Sequence, residues 1–325
     1  MNQLSPGAAA NLATLDRATA LGALVEFGVA IPMRDGIVLR ADVIRPAGDR
    51  PAPVILMRNP YGPIVARANL DPLRAVAEGF AVVMQSVRGT GASDGAFIPW
   101  AQEETDGYDS VAWCAAQPWS SGRVATYGPS YLGQAQLYAA AARHPAHVAM
   151  VPYVTPSHPY EVTYEDGALL LGSTFGWAFA RAGEAIGRGR STGPDADLDA
   201  GWRAWLAMGA DIDDVLETVP LRDIPLVGRR FPDWNDWLAH PERDAWWRRV
   251  DLGGRGRPGQ QPAEVVIAAR RLDIEQQHVA ADPEVRADQR LHHAAGLHLV
   301  VVLADDPLFR ADIQRAEDGG EGGRE

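Results

Sequence analysis

The stretch TYGPSYLG at residues 126–133 places one serine, Ser130, in a turn between an apolar run and an alanine-rich segment. A strand that turns sharply into a helix at a serine forms a nucleophile elbow, because the turn exposes the hydroxyl and directs the helix N-terminus at the developing oxyanion. Gly128 and Gly133 fit this geometry, since a strained, closely packed turn leaves little room for a Cβ. The spacing is one residue longer than the usual G-x-S-x-G, and a glycine and serine turn is also a common helix cap. A catalytic turn and a simple cap are therefore both open from this stretch alone.

Strand and helix patterns alternate around this turn. Two strands flank the turn Arg34-Asp35-Gly36, at residues 25–32 and 37–46. Short apolar runs predict buried strands of a parallel sheet, at residues 54–58, 80–87, 124–127 and 148–154. Helical patterns separate them, at residues 72–78, 103–116 and 131–143. The alternation predicts an α/β fold whose catalytic groups lie at the carboxyl ends of the strands.

The region 158–250 changes in character, because helical spacing with many aromatic residues replaces the alternation. Helices are predicted without an intervening strand, at residues 168–185, 197–208, 212–218 and 233–249. One interpretation is a helical cap over the active site. The other is a separate helical domain with no role in substrate binding. In that case four tryptophans belong to its core and not to a pocket, namely Trp234, Trp237, Trp246 and Trp247.

The ends of the chain lack these patterns. Residues 1–22 are alanine-rich and are predicted to be a disordered lead-in to the core at 23–157. The segment 251–325 is atypical: all ten Trp and all eight Tyr precede residue 253, and Phe309 is the only aromatic residue after it. Its last ten residues are acidic and glycine-rich, which predicts disorder. We therefore expect the C-terminal part of the α/β fold to be atypical or incomplete.

Five motifs occur in a fixed order along the chain. They are RNPYG at 58–62, VRGTGASDG at 87–95, ETDGYDSVAW at 104–113, QPW and GRV within 117–124, and the TYGPSYLG turn. Together they resemble the cocaine-esterase and X-prolyl dipeptidyl-peptidase (CocE/NonD-like) family of serine hydrolases over about residues 25–250. The resemblance implies an α/β-hydrolase fold with an inserted helical cap. It also implies a small-molecule ester or peptide substrate, cleaved through an acyl-enzyme on Ser130, and no cofactor.

The oxyanion of such a reaction needs hydrogen-bond donors. The backbone N–H of Tyr131 is one candidate, because the residue after the nucleophile begins the helix. The resemblance implies that the hydroxyl of Tyr61 is the other, in the role of the tyrosine of the family's Asn-Pro-Tyr-Gly motif. Without the resemblance, a buried tyrosine that ends a strand is the favoured interpretation of Tyr61.

The loop at 87–95 has two interpretations. Its glycines could bind phosphate, but the loop lacks the Lys-Ser/Thr of a P-loop. We expect it to support the elbow instead, with Arg88 and Asp94 as structural polar partners. Three residues of the next helix are predicted to cap and pack it: Asp106, Tyr108 and Asp109.

The acid and base of the triad are missing from their expected places. In the family, an aspartate follows a strand within a Gly-Gly-Trp-x-Asp pattern, and a histidine comes later in a tryptophan-containing loop; neither pattern occurs here. The nearest substitutes are Asp273, at the end of the strand-like run 265–273, and His298. His292 and His293 are the next candidates for the base after His298.

Two explanations fit these departures. A frameshift or truncated gene model would replace the true C-terminal half with out-of-frame sequence, or the chain is genuine and has lost its triad. The leading hypothesis is a serine hydrolase. The alternative is a catalytically incomplete homologue that keeps the elbow but cannot activate its serine. Ester and X-Pro peptide substrates, and the oligomeric state, are left open.

The composition of the chain limits the kinds of binding partner that we expect. A net charge of −12 argues against nucleic acid and anionic membranes, which require clustered positive charge. No stretch has the apolar length of a membrane span and no signal-peptide pattern occurs, so we expect a cytoplasmic protein. Cys114, the single cysteine, lies in an apolar helical pattern and is predicted to be a core residue. No His/Asp/Glu cluster has metal-ligand spacing, which makes a metal-dependent hydrolase the third hypothesis.

Overall fold

The computed structural model describes residues 17–156, 158–191 and 196–252, together with the backbone of 266–267 and 301–302. Its centre is an eight-stranded sheet of order β1-β2-β4-β3-β5-β6-β10-β9. The strands are β1 (Ala23–Pro32), β2 (Val38–Pro46), β3 (Ala52–Asn59), β4 (Ala81–Ser86), β5 (Ser120–Pro129), β6 (His147–Tyr153), β9 (Val266–Ile267) and β10 (Val301–Val302). Both the hairpin and the four buried strands predicted from the sequence are present.

The direction of the strands changes across the sheet. The hairpin of β1 and β2 closes through a turn at Gly36, whose φ of 85° favours glycine, and β2 pairs antiparallel with β4. Strands β3, β4, β5 and β6 are parallel neighbours. Every residue of β4 is buried, as expected for a central strand that is covered on both faces. The carboxyl ends of the parallel strands therefore share one edge of the sheet.

Four helices accompany this part of the sheet. They are α1 (Pro63–Asn69), α2 (Pro72–Ala77), α3 (Glu103–Ala116) and α4 (Tyr131–Ala141). The sequence did not predict α1, which begins at a proline and is too short for a helical period to stand out. Helix α4 ends at Ala141, two residues before the predicted end. Cys114 is fully buried on α3 beside Val111, as predicted, and burial raises the pKa of its thiol.

The region after β6 is mainly helical, with one departure from expectation. A short antiparallel ribbon precedes the helices: β7 (Tyr164–Glu165) and β8 (Ala168–Leu169). The helices are α5 (Leu171–Ser191), α6 (Ala196–Ala210), α7 (Ile212–Leu216), α8 (Pro225–Arg230), α9 (Asp233–Ala239) and α10 (Ala245–Arg248). The prediction of a helix from residue 168 was wrong, because Gly167 has a φ of 81° and turns the chain into β8. The predicted helix 233–249 is divided after Ala239, because Pro241 disfavours helical backbone at His240.

Polar contacts fix α5 on the loops at the carboxyl edge of the sheet. A guanidinium nitrogen of Arg181 donates to the Pro60 carbonyl, and a carboxylate oxygen of Glu184 accepts from the Gly91 amide at 2.9 Å. Arg188 donates to the Ser93 carbonyl at 2.8 Å. Helix α5 therefore covers the loops that follow β3 and β4.

The loop at 87–95 has different partners from those predicted. The Arg88 guanidinium pairs with Asp106 at 2.6 Å and with Asp35 at 2.7 Å. Asp94 contacts the loop through its backbone, whose carbonyl accepts from Gly89 and whose N–H donates to Val38. Asp109 binds Arg34 at 2.7 Å. Asp106 and Asp109 are thus ion-pair partners and not helix caps, and the start of α3 has no side-chain cap hydrogen bond.

Candidate active site

Ser130 lies between the end of β5 at Pro129 and the start of α4 at Tyr131. Its backbone has φ 54° and ψ −126°, a conformation that costs a residue with a Cβ on the order of 1–3 kcal/mol. Two hydrogen bonds hold it there: the Ser130 amide donates to the Tyr153 carbonyl at 3.1 Å, and the Gln134 amide donates to the Ser130 carbonyl at 3.0 Å. A nucleophile elbow has the same geometry, a strained turn from a strand into a helix.

Two glycines allow the elbow to pack. A Cβ on Gly128, whose φ is 136°, would lie 2.6 Å from a methyl carbon of Leu132. A Cβ on Gly133 would lie 2.5 Å from the methyl carbon of Thr155, in the loop after β6. Both distances are far below van der Waals contact. Gly133, the second glycine of the G-x-S-x-x-G spacing, therefore allows α4 to pack closely against that loop.

A cavity of about 480 Å³ opens beside Ser130. Five aromatic residues line it, namely Tyr61, Trp100, Tyr131, Trp177 and Trp237. Its polar lining residues are Ser130, Gln134, Glu161, Thr163, Ser173 and Thr174. Residues of the helical region therefore form part of the same cavity as the elbow. Trp237 combines the two roles that the sequence left open, since it is buried in the core of that region and also lines the cavity.

Tyr61 lies on the cavity wall with its hydroxyl oriented by α5. The indole N–H of Trp177 donates to the phenolic oxygen at 3.1 Å, and the guanidinium of Arg181 lies over the ring at 5.1 Å from its centroid. The backbone N–H of Tyr61 donates to the side chain of Asn59 at 2.9 Å. Because an indole nitrogen only donates, the Tyr61 oxygen accepts from Trp177 and keeps its own proton for another acceptor.

Tyr131 begins α4, where a backbone N–H has no partner within the helix. Its side chain is buried: the hydroxyl donates to Glu103 at 2.9 Å and accepts from the Trp100 amide at 3.1 Å. Burial raises the pKa of this phenol well above its ordinary value, so the ring stays neutral. The sequence suggested a role for the Tyr131 amide but gave no sign of this buried contact.

A buried ion pair lies beneath the elbow. Arg58, at the end of β3, contacts Glu103 at 2.8 Å, and their side chains are only 2% and 7% exposed. The contact is a charge contact and not an aligned hydrogen bond, although a guanidinium nitrogen of Arg58 also donates to the Glu103 carbonyl at 3.0 Å. Burial raises the pKa of Glu103, and Arg58 opposes that shift. The pair connects β3 and α3 to Tyr131.

Histidines of the described ranges lie away from the cavity lining. His147 is buried on β6 against Thr126 at 2.9 Å, and burial lowers its pKa to about 4. His158 pairs with Asp251 at 2.6 Å. The other two are His144, beside Tyr108, and His240, paired with Asp244. The predicted triad candidates lie outside the described residues: Asp273, His292, His293 and His298.

Sequence reasoning missed several cavity residues. Trp177 and Arg181 lie far along the chain from Tyr61, and no local pattern links them to it. Trp100 has a φ of 65°, which a tryptophan rarely adopts and which no motif signals. Gln134 had a usable signal, because it follows Ser130 by four residues and so lies on the same face of α4.

Comparison with known proteins identifies the family. The model of the X-Pro dipeptidyl-peptidase (S15) family matches residues 35–269. The chain belongs to this family. Cocaine esterase from Rhodococcus sp. (strain MB1 Bresler) is 34% identical over 235 residues, which cover 70% of this chain and 41% of the esterase. The chain thus spans less than half the length of that relative.

Solved structures share the fold at lower identity. An aminopeptidase from the marine sediment archaeon Thaumarchaeota archaeon superposes with a TM-score of 0.52 at 24% identity, over 72% of this chain and 40% of that one. A CocE/NonD family hydrolase from Staphylococcus aureus superposes with a TM-score of 0.51 at 21% identity, over 71% of this chain and 38% of that one. The predicted family and the α/β-hydrolase fold are confirmed. The family is one of serine hydrolases that cleave esters or peptides.

Two other kinds of site are absent from the described ranges. No helix there is both long and apolar enough to cross a bilayer. Nor does that part of the chain bring three or more His, Cys, Asp or Glu side chains together as metal ligands.

Proposed function

We propose that this chain is a serine hydrolase that cleaves a carboxylic ester or amide through an acyl-enzyme on Ser130. The main support is the position of Ser130, which occupies a strained elbow beside an aromatic cavity that also contains Tyr61. A cavity of about 480 Å³ fits a small molecule or the end of a short peptide. The domain organisation proposed with it is a core at 23–157 and a helical cap at 158–250.

Each group has a defined part in the chemistry. The Ser130 hydroxyl gives its proton to a base while its oxygen bonds to the substrate carbonyl carbon, and the carbonyl oxygen takes the negative charge; the base later returns that proton to the leaving group. The Tyr61 hydroxyl and the Tyr131 backbone N–H donate hydrogen bonds to that oxygen. The intermediate then expels the alcohol or amine, which takes up a proton, and water releases the acid from Ser130. Each donor to the oxyanion lowers the barrier by about 3 kcal/mol in comparable enzymes.

The base that accepts the Ser130 proton is the group that distinguishes two candidate functions. None of the described cavity-lining residues is a histidine, and the predicted pair Asp273 and His298 falls outside the described residues. This observation favours the second candidate, a catalytically incomplete homologue. Without a base, a serine hydroxyl is a weak nucleophile, so the two candidates differ in kind.

Covalent labelling separates the two candidates. We would treat the full chain with a fluorophosphonate and measure the intact mass of the wild type, Ser130→Ala and Ser173→Ala. Ser173 is the matched control, because it lines the same cavity from α5. The proposal expects one adduct on the wild type and on Ser173→Ala, and none on Ser130→Ala. A folded wild type that stays unlabelled would reject the enzyme and support the incomplete homologue.

His298→Ala extends the same experiment to the base. Loss of labelling in a folded His298→Ala protein, with labelling retained in His292→Ala, would support His298 as the base. Equal labelling of both variants would exclude His298 from that role.

A further inference from the structure

We propose that the Gln134 side-chain amide and the Trp237 indole N–H form a donor pair that binds a neutral hydrogen-bond acceptor on the substrate. The inference rests on the proposed function, because it defines the substrate class of the same cavity. It selects esters or amides that have, besides the reacting carbonyl, a second uncharged oxygen or nitrogen acceptor.

Gln134 is fixed one helical turn beyond the proposed nucleophile. Its backbone N–H donates to the Ser130 carbonyl at 3.0 Å, and its side chain is 4% exposed. The side-chain oxygen accepts from the indole N–H of Trp100 at 2.9 Å. Because that N–H only donates, the contact determines which end of the amide is oxygen. The Nε2 group is therefore the remaining end, and it has two protons to donate.

The Nε2 group of Gln134 has no hydrogen-bond partner within the described part of the chain, although Gln134 lines the cavity. A buried donor without a partner costs about 1–3 kcal/mol. The absence of a partner for the Gln134 Nε2 group is explained if the substrate supplies the hydrogen-bond acceptor when it binds beside Ser130.

Trp237 shows the same feature independently. It is 2% exposed, it lines the cavity from α9, and its indole Nε1 has no partner among the residues that the structure describes. Its ring lies 5.8 Å from that of Trp100, which is itself bonded to Gln134. Both residues that carry these donors thus neighbour Trp100 in the lining of the same cavity.

The surrounding residues define the acceptor. Both free groups are N–H donors, so they require a lone pair. Among the described lining residues there is no Lys, Arg or His to balance an anion, and Glu161 would repel one. The aromatic rings favour a flat group. A ketone, amide or ether oxygen, or a ring nitrogen, on a flat acyl group meets all three conditions.

Binding, and not turnover, tests this inference. We would use the full chain with Ser130→Ala, which cannot form an acyl-enzyme, and measure Kd by calorimetry for ethyl 4-acetylbenzoate and ethyl 4-isopropylbenzoate. These two esters have nearly the same shape and differ in one acceptor oxygen. The readout is the ratio of the two Kd values in each variant, so that general changes in affinity cancel.

Gln134→Met removes the donor and keeps an unbranched side chain of similar length. We expect it to reduce the preference for the acetyl ester by about threefold to tenfold, the value of one hydrogen bond. Trp237→Phe should act in the same direction, and it decides the question if Gln134→Met does not fold. Thr174→Val is the control, because Thr174 lines the cavity but its hydroxyl already donates to the Val162 carbonyl at 3.3 Å.

An unchanged ratio in both folded donor variants would overturn the inference, as would failure of Ser130→Ala to bind either ester. Neither result depends on catalysis. Loss of fluorophosphonate labelling with an intact acetyl preference would reject the proposed hydrolase and leave the donor pair standing.

Discussion

Arg58→Met should destabilise the protein strongly, because it removes one half of a buried ion pair. Arg58 contacts Glu103 at 2.8 Å, and both side chains are almost fully buried. Methionine fills similar space without the charge. The substitution leaves the Glu103 carboxylate with only the Tyr131 hydroxyl, at 2.9 Å, as a side-chain donor.

The structure sets the size of the effect. Removing one partner of a buried pair costs about 3–5 kcal/mol, since the remaining charge has no compensation. The matched control is Arg17→Met, which breaks a pair with Asp71 at the same distance of 2.8 Å whose side chains are 62% and 43% exposed. An exposed pair contributes at most about 1 kcal/mol. The two variants therefore remove ion pairs of equal length, one buried and one exposed, and Arg58→Met also removes hydrogen bonds to Gln85 and to the Glu103 carbonyl.

The effect of pH follows from Glu103. Burial raises the pKa of this carboxyl in the folded protein, and loss of Arg58 raises it further. A carboxyl whose folded pKa exceeds the unfolded value favours folding at low pH, and that advantage disappears as the pH rises through the folded pKa. Arg58→Met should thus be less destabilising at pH 5 than at pH 8. Urea unfolding followed by circular dichroism at both values measures this. A loss below about 1 kcal/mol at pH 8, or a loss independent of pH, would refute the reasoning.

Three further predictions concern the site and the helical region. Ser130→Gly should unfold at a free energy about 1 kcal/mol higher than Ser130→Ala, because glycine tolerates a φ of 54°; equal urea midpoints would contradict the strain. Tyr61→Phe should lower kcat for a p-nitrophenyl ester on the order of a hundredfold with little change in KM, and a retained rate would exclude its hydroxyl as an oxyanion donor. Asp233→Asn should stabilise the protein by about 3 kcal/mol more at pH 8 than at pH 5, because burial and Asp236 raise the pKa of Asp233 to about 7; a stabilisation independent of pH would argue against that shift.

Much of the core was predictable because its signals are local. The strand β4 is a continuous apolar run, and the turn at Gly36 requires a glycine, so both appear directly in the sequence. Helix boundaries in the region after β6 were less predictable. There, the division at Pro241 and the ribbon ending at Leu169 depend on single residues that interrupt an otherwise helical pattern.

The site was predictable only where a motif named its residues. Ser130, Tyr61 and Tyr131 belong to motifs, and the structure brings all three to one cavity. Partners contributed by distant segments were not accessible, since the contact of Trp177 with Tyr61 joins positions 116 residues apart. For Arg88 the prediction named the wrong partner. Sequence proximity suggested Asp94, whereas in the fold Arg88 pairs with Asp35 and Asp106.

We expect substrate binding and nucleophile activation to be separable in this chain. The wall of the cavity is fixed by Glu103, which binds Tyr131, and by Gln134, which binds Trp100. Trp100 is also bonded through its backbone to Tyr131, so these contacts form one continuous buried network. These contacts join residues of α3, α4 and the loop before α3, and none of them involves a histidine. We therefore expect the cavity and its donor pair to persist whether or not Ser130 is activated. Ligand binding and covalent labelling consequently report on different parts of the molecule, and both are needed to decide what the chain does.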